Sequence, residues 1–165
     1  MGLANRNVAL YARNQSGNIQ KTFFNQGNIH KMENYADAAL RHWHDARLLE
    51  RENSVENADH LYGFVAECAI KKVLVVLPAF STTGMLGDAY KVHVNILWEK
   101  VNYQSLQKSY PALSALLKST NQFSDWHVNQ RYFADRAISK LAMESHKKAA
   151  TRLLGSVNII GVRRA

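Results

Sequence analysis

The sequence predicts an all-α protein: an antiparallel bundle of four to five helices, preceded by a polar N-terminal arm or short hairpin. The 165 residues include only 2 prolines and 8 glycines, which leaves room for long helices and little room for a many-turned sheet. Apolar residues recur at spacings of three and four over long stretches, as on one face of a helix. The composition, 47% apolar and 21% charged, is that of one ordinary globular domain.

The N-terminal 30 residues differ in composition from the rest, so we divide the chain into residues 1–30 and a bundle of residues 31–165. Two short β-prone runs, 7–12 and 19–24, flank an Asn- and Gly-containing centre at 14–18. This pattern favours a hairpin. A flexible arm remains the alternative on composition alone.

The first two predicted helices carry the strongest pattern. One spans about 32–51, and its apolar face is formed by Ala36, Ala39, Leu40, Trp43, Ala46 and Leu49. The next begins near Asn53, with Glu56 three residues on as in a capping box, and ends at about Leu77 because Pro78 follows. It is apolar nearly all round, which predicts a central helix and, because one bundle would cover it poorly, a homodimer.

The remaining elements are weaker in pattern. After a loop at 80–88 we expect a helix near 89–102 and then one at 105–119, bent or started at Pro111. A turn at 121–125 leads to a last helix at about 128–155. The tail from residue 157 to 165 is left unassigned.

Several classes of function are disfavoured by what the sequence lacks. Cys68 is the lone cysteine, which excludes a disulfide framework and a cysteine-rich zinc site. No run of apolar residues reaches membrane-spanning length, and residues 1–6 lack the core of a signal peptide, so we expect a cytoplasmic protein without a membrane span. No phosphate-binding glycine loop or nucleophile elbow occurs. We expect no cofactor and no metal, since His42 and His44 are two apart and point to different sides of a helix.

Positive charge is concentrated at the chain ends. The net charge is +8, and residues 131–165 alone contain 8 basic and 2 acidic residues. The predicted basic face comprises Arg136, Lys140, Lys147, Lys148 and Arg152. Such a face attracts polyanions such as nucleic acid, an acidic protein or anionic lipid. A merely solvated face is the alternative.

Polar residues in apolar surroundings give the candidate site. Glu67 and Lys71 are four apart on the most apolar helix, where they form either a structural or dimer-groove pair, or part of a functional cluster. His93 lies on the predicted third helix, away from its apolar face.

Arg131 is the second focus of the candidate site. It has Trp126 and Tyr132 beside it, a combination that suits phosphate contact and base stacking. The alternative role for Arg131 is to brace the last helix against the bundle.

Four segments together resemble HEPN domains. HDARLL (44–49) and NADHLYGFVAECAIK (57–71) are similar to their paired first helices, KVHV (91–94) to their Gly-His-Asp/Asn-Leu segment, and WHVNQRY (126–132) to the Trp-x-x-x-x-Arg-Tyr stretch of one subgroup. The resemblance implies a helical bundle that dimerises. It also implies either RNA or nucleotide binding or ribonuclease activity, in defence or toxin–antitoxin systems, with a small nucleotidyltransferase as a frequent partner.

One departure from the family pattern decides which of these two functions, ligand binding or ribonuclease activity, we expect. Nuclease members carry an arginine followed, after roughly four to six residues, by a histidine with acid–base roles. Here Arg131 is followed by no histidine until His146. We therefore expect a protein that binds RNA, a nucleotide or a protein partner, with Glu67, Lys71, Trp126 and Tyr132 at the ligand. A metal-independent ribonuclease with Arg131 and His93 as catalytic residues is the alternative.

Overall fold

The computed structural model describes the backbone of residues 7–13 and 19–25, and both backbone and side chains of residues 33–82 and 84–159. The chain divides into two compact units, Met1–Glu33 and Asn34–Ala165. In the first unit, strand β1 (Asn7–Arg13) pairs antiparallel with β2 (Ile19–Asn25), so the hairpin alternative is correct. The second unit is a helical bundle, as predicted.

The described part of the second unit contains five α-helices. They are α1 (Tyr35–Arg51), α2 (Val55–Leu74), α3 (Val94–Lys100), α4 (Pro111–Lys118) and α5 (Lys140–Ser156). Two-residue strands β3 (Ser81–Thr82) and β4 (Met85–Leu86) pair antiparallel after α2. Three 3-10 turns complete the order: Asp88–Tyr90, Tyr103–Leu106 and Val128–Tyr132. No helix in these ranges has both the length and the apolar content needed to cross a membrane.

Helix α2 is the centre of the bundle. It packs most extensively against α1 and α5, and more lightly against α3. Its apolar residues from Val65 to Leu74 are buried within this one chain. The argument that a second copy is needed to cover α2 is therefore wrong, because the other helices of the same chain already remove it from water.

Helix α1 confirms its predicted apolar face. Ala39, Trp43 and Ala46 are buried against the core. The helix begins at Tyr35 because the Asn34 side chain accepts a hydrogen bond from the Asp37 backbone N–H, which closes the first turn.

The predicted capping box at the start of α2 does not form. Asn53 has a positive φ of 57° and lies outside the helix, and Ser54 occupies the N-cap position without a side-chain capping bond. The Glu56 carboxylate instead accepts a hydrogen bond from the backbone N–H of Arg136. A tertiary contact 80 residues away has thus replaced the local one.

The largest error of the sequence prediction concerns the last helix. Helix α5 begins only at Lys140, where the Ser139 hydroxyl accepts from the Ala142 N–H. Arg136 has a φ of 68°, which a helix does not allow, and Phe133 is 51% exposed instead of in the core. Arg131 therefore lies on the 3-10 turn Val128–Tyr132 and not on a helix.

The middle helices are shorter than predicted. Helix α3 begins at Val94, so His93 is its extended N-cap residue and not part of the helix. On α3, Leu97 is buried and Ile96 is exposed. Helix α4 starts at Pro111, as one of the two alternatives predicted, because proline fits the first turn of a helix.

Candidate functional site

Three histidines surround the ring of Phe64 on α2. The ring centroids of His42 (α1), His60 (α2) and His93 (before α3) lie 5.5, 4.7 and 6.2 Å from that of Phe64. All three side chains are partly exposed. We call these three residues the histidine cluster. Because histidine can carry a positive charge near neutral pH, such a group of rings is a candidate site for an anionic ligand.

A buried ion pair supports one side of the histidine cluster. Lys71 Nζ donates to Glu67 Oε1 over 2.7 Å, and His93 Nδ1 lies 3.0 Å from Glu67 Oε2. A carboxylate only accepts, so Nδ1 carries the proton in this bond. His93 therefore presents Nε2, which has no hydrogen-bond partner among the described residues, on a side chain that is 43% exposed. Glu67 both orients His93 and is itself neutralised by Lys71.

Trp126 forms a buried wall behind the histidine cluster. Its indole is stacked on His60 at 5.5 Å and lies edge-on to His93 at 6.2 Å. The indole N–H donates to the backbone oxygen of Asp59 over 3.2 Å. A Cβ atom at Gly63 would overlap this indole, so only glycine fits there. Because Trp126 is fully buried, its predicted contact with a ligand is not available; it positions the histidines instead.

Arg131 lies near the histidine cluster on an exposed turn. Its guanidinium is 4.7 Å from the centroid of the Tyr132 ring, which is 74% exposed. Arg131 also acts electrostatically on His60, whose pKa it lowers. No direct hydrogen bond joins Arg131 to His93 within the described ranges, although both influence His60. The structure thus brings Lys71 and His93 into contact with Glu67 and pairs Arg131 with Tyr132, and among the described residues it joins these two groups only through the electrostatic effect of Arg131 on His60.

Burial disfavours a positive charge on two members of the histidine cluster, His42 and His60. Burial lowers the pKa of His60, and Arg131 lowers it further. Burial also lowers the pKa of His42, with a contribution from Arg41. The Nδ1 atom of His60 is buried and has no hydrogen-bond partner in the described part of the chain. An anion bound at this surface would place a negative charge beside these rings and so favour their protonated form.

Sequence reasoning missed a fourth, buried histidine. His146 Nδ1 is 2.6 Å from Asp59 Oδ1, and its Nε2 is 3.0 Å from Asp125 Oδ1. We call this group the His146 clamp. Only the doubly protonated imidazolium can donate to both carboxylates. Burial acts to lower the pKa of His146, but the two carboxylates outweigh it, and the pKa is raised.

A signal for the buried position of His146 was present in the sequence. His146 follows Met143 by three residues and precedes Ala149 and Ala150 by three and four, and all of these are buried on one face of α5. A histidine on a buried face needs polar partners, which the apolar spacing alone does not name.

One side chain of the predicted basic face, Lys147, is engaged in contacts within the protein. The Lys147 ammonium donates to Glu50 over 2.6 Å, and Glu50 also accepts from the Tyr62 hydroxyl at 2.8 Å. Burial raises the pKa of Glu50, but these two hydrogen bonds outweigh it and the pKa is lowered. The side chains left exposed are those of Arg136, Lys140, Lys148 and Arg152.

Other candidate chemistry is weak. No group of three or more histidine, cysteine or acidic side chains is arranged to hold a metal ion in residues 33–82 and 84–159. Cys68 is buried and free, and burial raises the pKa of its thiol to about 12, which makes it unreactive at neutral pH.

The histidine cluster therefore combines an oriented imidazole, two further titratable rings and a nearby guanidinium.

Comparison of the chain with protein-family models, with curated proteins and with solved structures finds no match.

Proposed function

We propose that this protein is a HEPN-like helical bundle that binds single-stranded RNA at the histidine cluster. The observation that carries the proposal is the gathering of His42, His60 and His93 around Phe64, with Arg131 close enough to act on His60. Glu67, the carboxylate bonded to the cluster, is neutralised by Lys71. Such a surface matches the negative charge of a phosphate.

Two features favour RNA over a small anion. The exposed Tyr132 ring with Arg131 packed on it offers a stacking surface for an unpaired base. The exposed cations of α5, Lys140, Lys148 and Arg152, would attract further phosphates along a strand. The resemblance to HEPN domains supports the same ligand class.

The test is RNA binding by Arg131→Ala. We expect the wild type to bind a single-stranded oligonucleotide with an affinity that falls as salt rises, because bound phosphates release counterions. Arg131→Ala should weaken binding by about 1.5–3 kcal/mol, the loss of a charged contact. The matched control is Arg51→Ala, which removes another exposed arginine at the far end of α1.

Two results would contradict the proposal. One is wild-type binding that is absent at low salt or indifferent to salt. The other is an Arg131→Ala variant with a lower melting temperature and unchanged affinity per folded molecule, which would mean that Arg131 only braces the bundle.

The second candidate is a metal-independent ribonuclease, favoured by the bond between His93 Nδ1 and Glu67. A carboxylate-oriented histidine with a free Nε2 can accept the proton of a ribose 2′-hydroxyl as a general base. RNA cleavage in the presence of a chelator, abolished by His93→Gln and by 2′-deoxy substitution of the substrate, would favour this candidate. Binding without turnover would favour the first.

The resemblance also leads us to propose a cytoplasmic homodimer that works in a defence or toxin–antitoxin system with a small nucleotidyltransferase. The exposed side chains of Tyr132, Phe133 and Leu141 offer apolar surface to a second copy. Light scattering at tens of micromolar, about the range of weak specific association, tests the dimer. A monomer at these concentrations would contradict it.

A further inference from the structure

We propose that ligand binding at the histidine cluster is coupled to proton uptake by His42 and His60, so that RNA is held more tightly in mildly acidic than in neutral solution. This inference rests on the proposed RNA binding and adds its regulation. The geometry of the rings around Phe64 and the charges that face each ring support it.

His60 has predominantly positive and apolar surroundings. Its ring is stacked on the buried indole of Trp126 and lies edge-on to Phe64. Arg131, His93 and His42 all disfavour its charged form, and only Asp59 favours it. The Asp59 carboxylate is in turn bonded to His146. Because Nδ1 has no acceptor in the described ranges, a second ring proton is not satisfied by the protein.

His42 has a more balanced environment. Arg41 on the same helix disfavours its charged form, while Asp45 and the more distant Glu67 favour it. Burial against Phe64 outweighs both carboxylates, so the pKa of His42 lies below its ordinary value of 6.5. Both His42 and His60 are therefore largely neutral at pH 7 in the free protein.

A bound phosphate changes this balance. Its negative charge favours the imidazolium forms of His42 and His60, so the bound protein holds more protons than the free one. Linkage is reciprocal: if a ligand raises proton affinity, protons raise ligand affinity by the same factor. Each proton taken up changes the dissociation constant by about tenfold per pH unit between the pKa of the histidine in the free protein and its higher pKa in the complex.

The other two histidines discussed above are poorly suited to this role. His93 faces a negative charge even without a ligand, because its Nδ1 is bonded to the Glu67 carboxylate, so a bound phosphate changes its electrostatic surroundings less. His146 is buried and bonded at both ring nitrogens, so it holds its proton with or without a ligand. The coupling is thus assigned to His42 and His60 alone.

The experiment measures binding of a rhodamine-labelled oligouridine of about 12 nucleotides, within the site sizes of single-strand binding folds. Uracil and phosphodiester groups do not titrate in the range used. We expect the wild-type dissociation constant to fall at least about tenfold between about pH 7.5 and about pH 5.5 at fixed ionic strength. Calorimetry in two buffers of different ionisation enthalpy should show net proton uptake.

Two variants locate the protons. The double variant His42→Gln, His60→Gln should reduce the pH effect to less than about threefold and lose the proton uptake. His44→Gln is the matched control, because His44 is exposed on α1 and has no ring contact with the cluster. It should keep the wild-type pH effect. Melting temperatures at both pH values confirm that each variant is folded.

The outcomes separate this inference from the proposed function. Tight, salt-sensitive binding that is equal at both pH values overturns the inference and leaves RNA binding standing. An equal pH effect in the double variant and in His44→Gln also overturns it, since the protons then bind elsewhere. Absence of RNA binding at either pH, at low salt, overturns both.

Discussion

The histidine cluster and the His146 clamp differ in what surrounds the same type of side chain. Asp59 and His60 are neighbours on α2, yet the Asp59 side chain belongs to the clamp and His60 to the cluster. His146 is buried and bonded to two carboxylates, whereas His42 and His60 are partly buried and burial lowers the pKa of each. A histidine whose two ring nitrogens are both hydrogen-bonded within the protein has a structural role. A partly exposed histidine with an unbonded ring nitrogen is available to a ligand.

The two regions also respond to pH with opposite signs. The pKa of His146 is raised, so its contribution to stability is fully present below about pH 6.5 and is lost as pH rises through the folded-state pKa. The pKa values of His42 and His60 are lowered, so they favour the folded state above about pH 6.5 and destabilise it as pH falls. Acidification therefore favours the folded state through the His146 clamp and disfavours it through His42 and His60.

The largest expected effect is on the clamp. His146→Ala leaves the Asp59 carboxylate buried without its partner, and we expect a loss of about 3–5 kcal/mol in the free energy of unfolding. Urea unfolding measures this loss, with Ser145→Ala as the control, because Ser145 is exposed at the position of α5 just before His146. A loss similar to that of the control would mean that the clamp contributes little to stability.

A smaller effect is expected where the two regions meet. Gly63→Ala places a methyl group into the Trp126 indole, which packs behind the cluster and also bonds to the backbone of Asp59. We expect a loss of about 1–3 kcal/mol from overpacking. Gly155→Ala is the control: a Cβ there meets nothing within 4 Å, so this variant should be neutral or slightly stabilised. Equal stability of the two variants would contradict the close packing at Gly63.

The smallest expected effect on stability is that of Asp125→Asn, which tests how the His146 clamp responds to pH. Asp125 is 70% exposed in its side chain, so Asp125→Asn should reduce stability by only about 0.5–1 kcal/mol. It should also bring the folded-state pKa of His146 closer to its ordinary value, so that stability is lost at a lower pH than in the wild type. Melting temperatures from about pH 5 to about pH 9 test this. An unshifted profile would assign the raised pKa to Asp59 alone.

Sequence patterns predicted the parts of the fold that depend on local periodicity. The apolar face of α1 and the buried α2 follow from residues three and four apart, and both are observed. The pairing of Glu67 with Lys71 follows from the same spacing, because residues i and i+4 share a helix face. His93 was selected for its position away from the apolar face of the predicted third helix, and the structure brings it to Glu67.

Long-range contacts account for what the sequence did not show. His146 meets Asp59 across 87 positions, and no local pattern encodes that pair. The segment from Phe133 to Ser139 contains apolar residues at helical spacing, but Arg136 adopts a positive φ and its backbone N–H bonds to Glu56. Trp126 was expected at a ligand because aromatic residues suit stacking. Its indole is instead buried in the core, where it packs into the space that a side chain at position 63 would occupy.

The double role of Asp59 has a consequence for how this protein tolerates change. Its backbone oxygen accepts from Trp126, which positions the cluster, while its carboxylate holds His146. Free energies of substitutions at Trp126 and His146 should therefore not add, since both alter the setting of one residue. A substitution that shifts Asp59 on α2 should therefore disturb the His146 clamp and the Trp126 wall behind the histidine cluster at the same time.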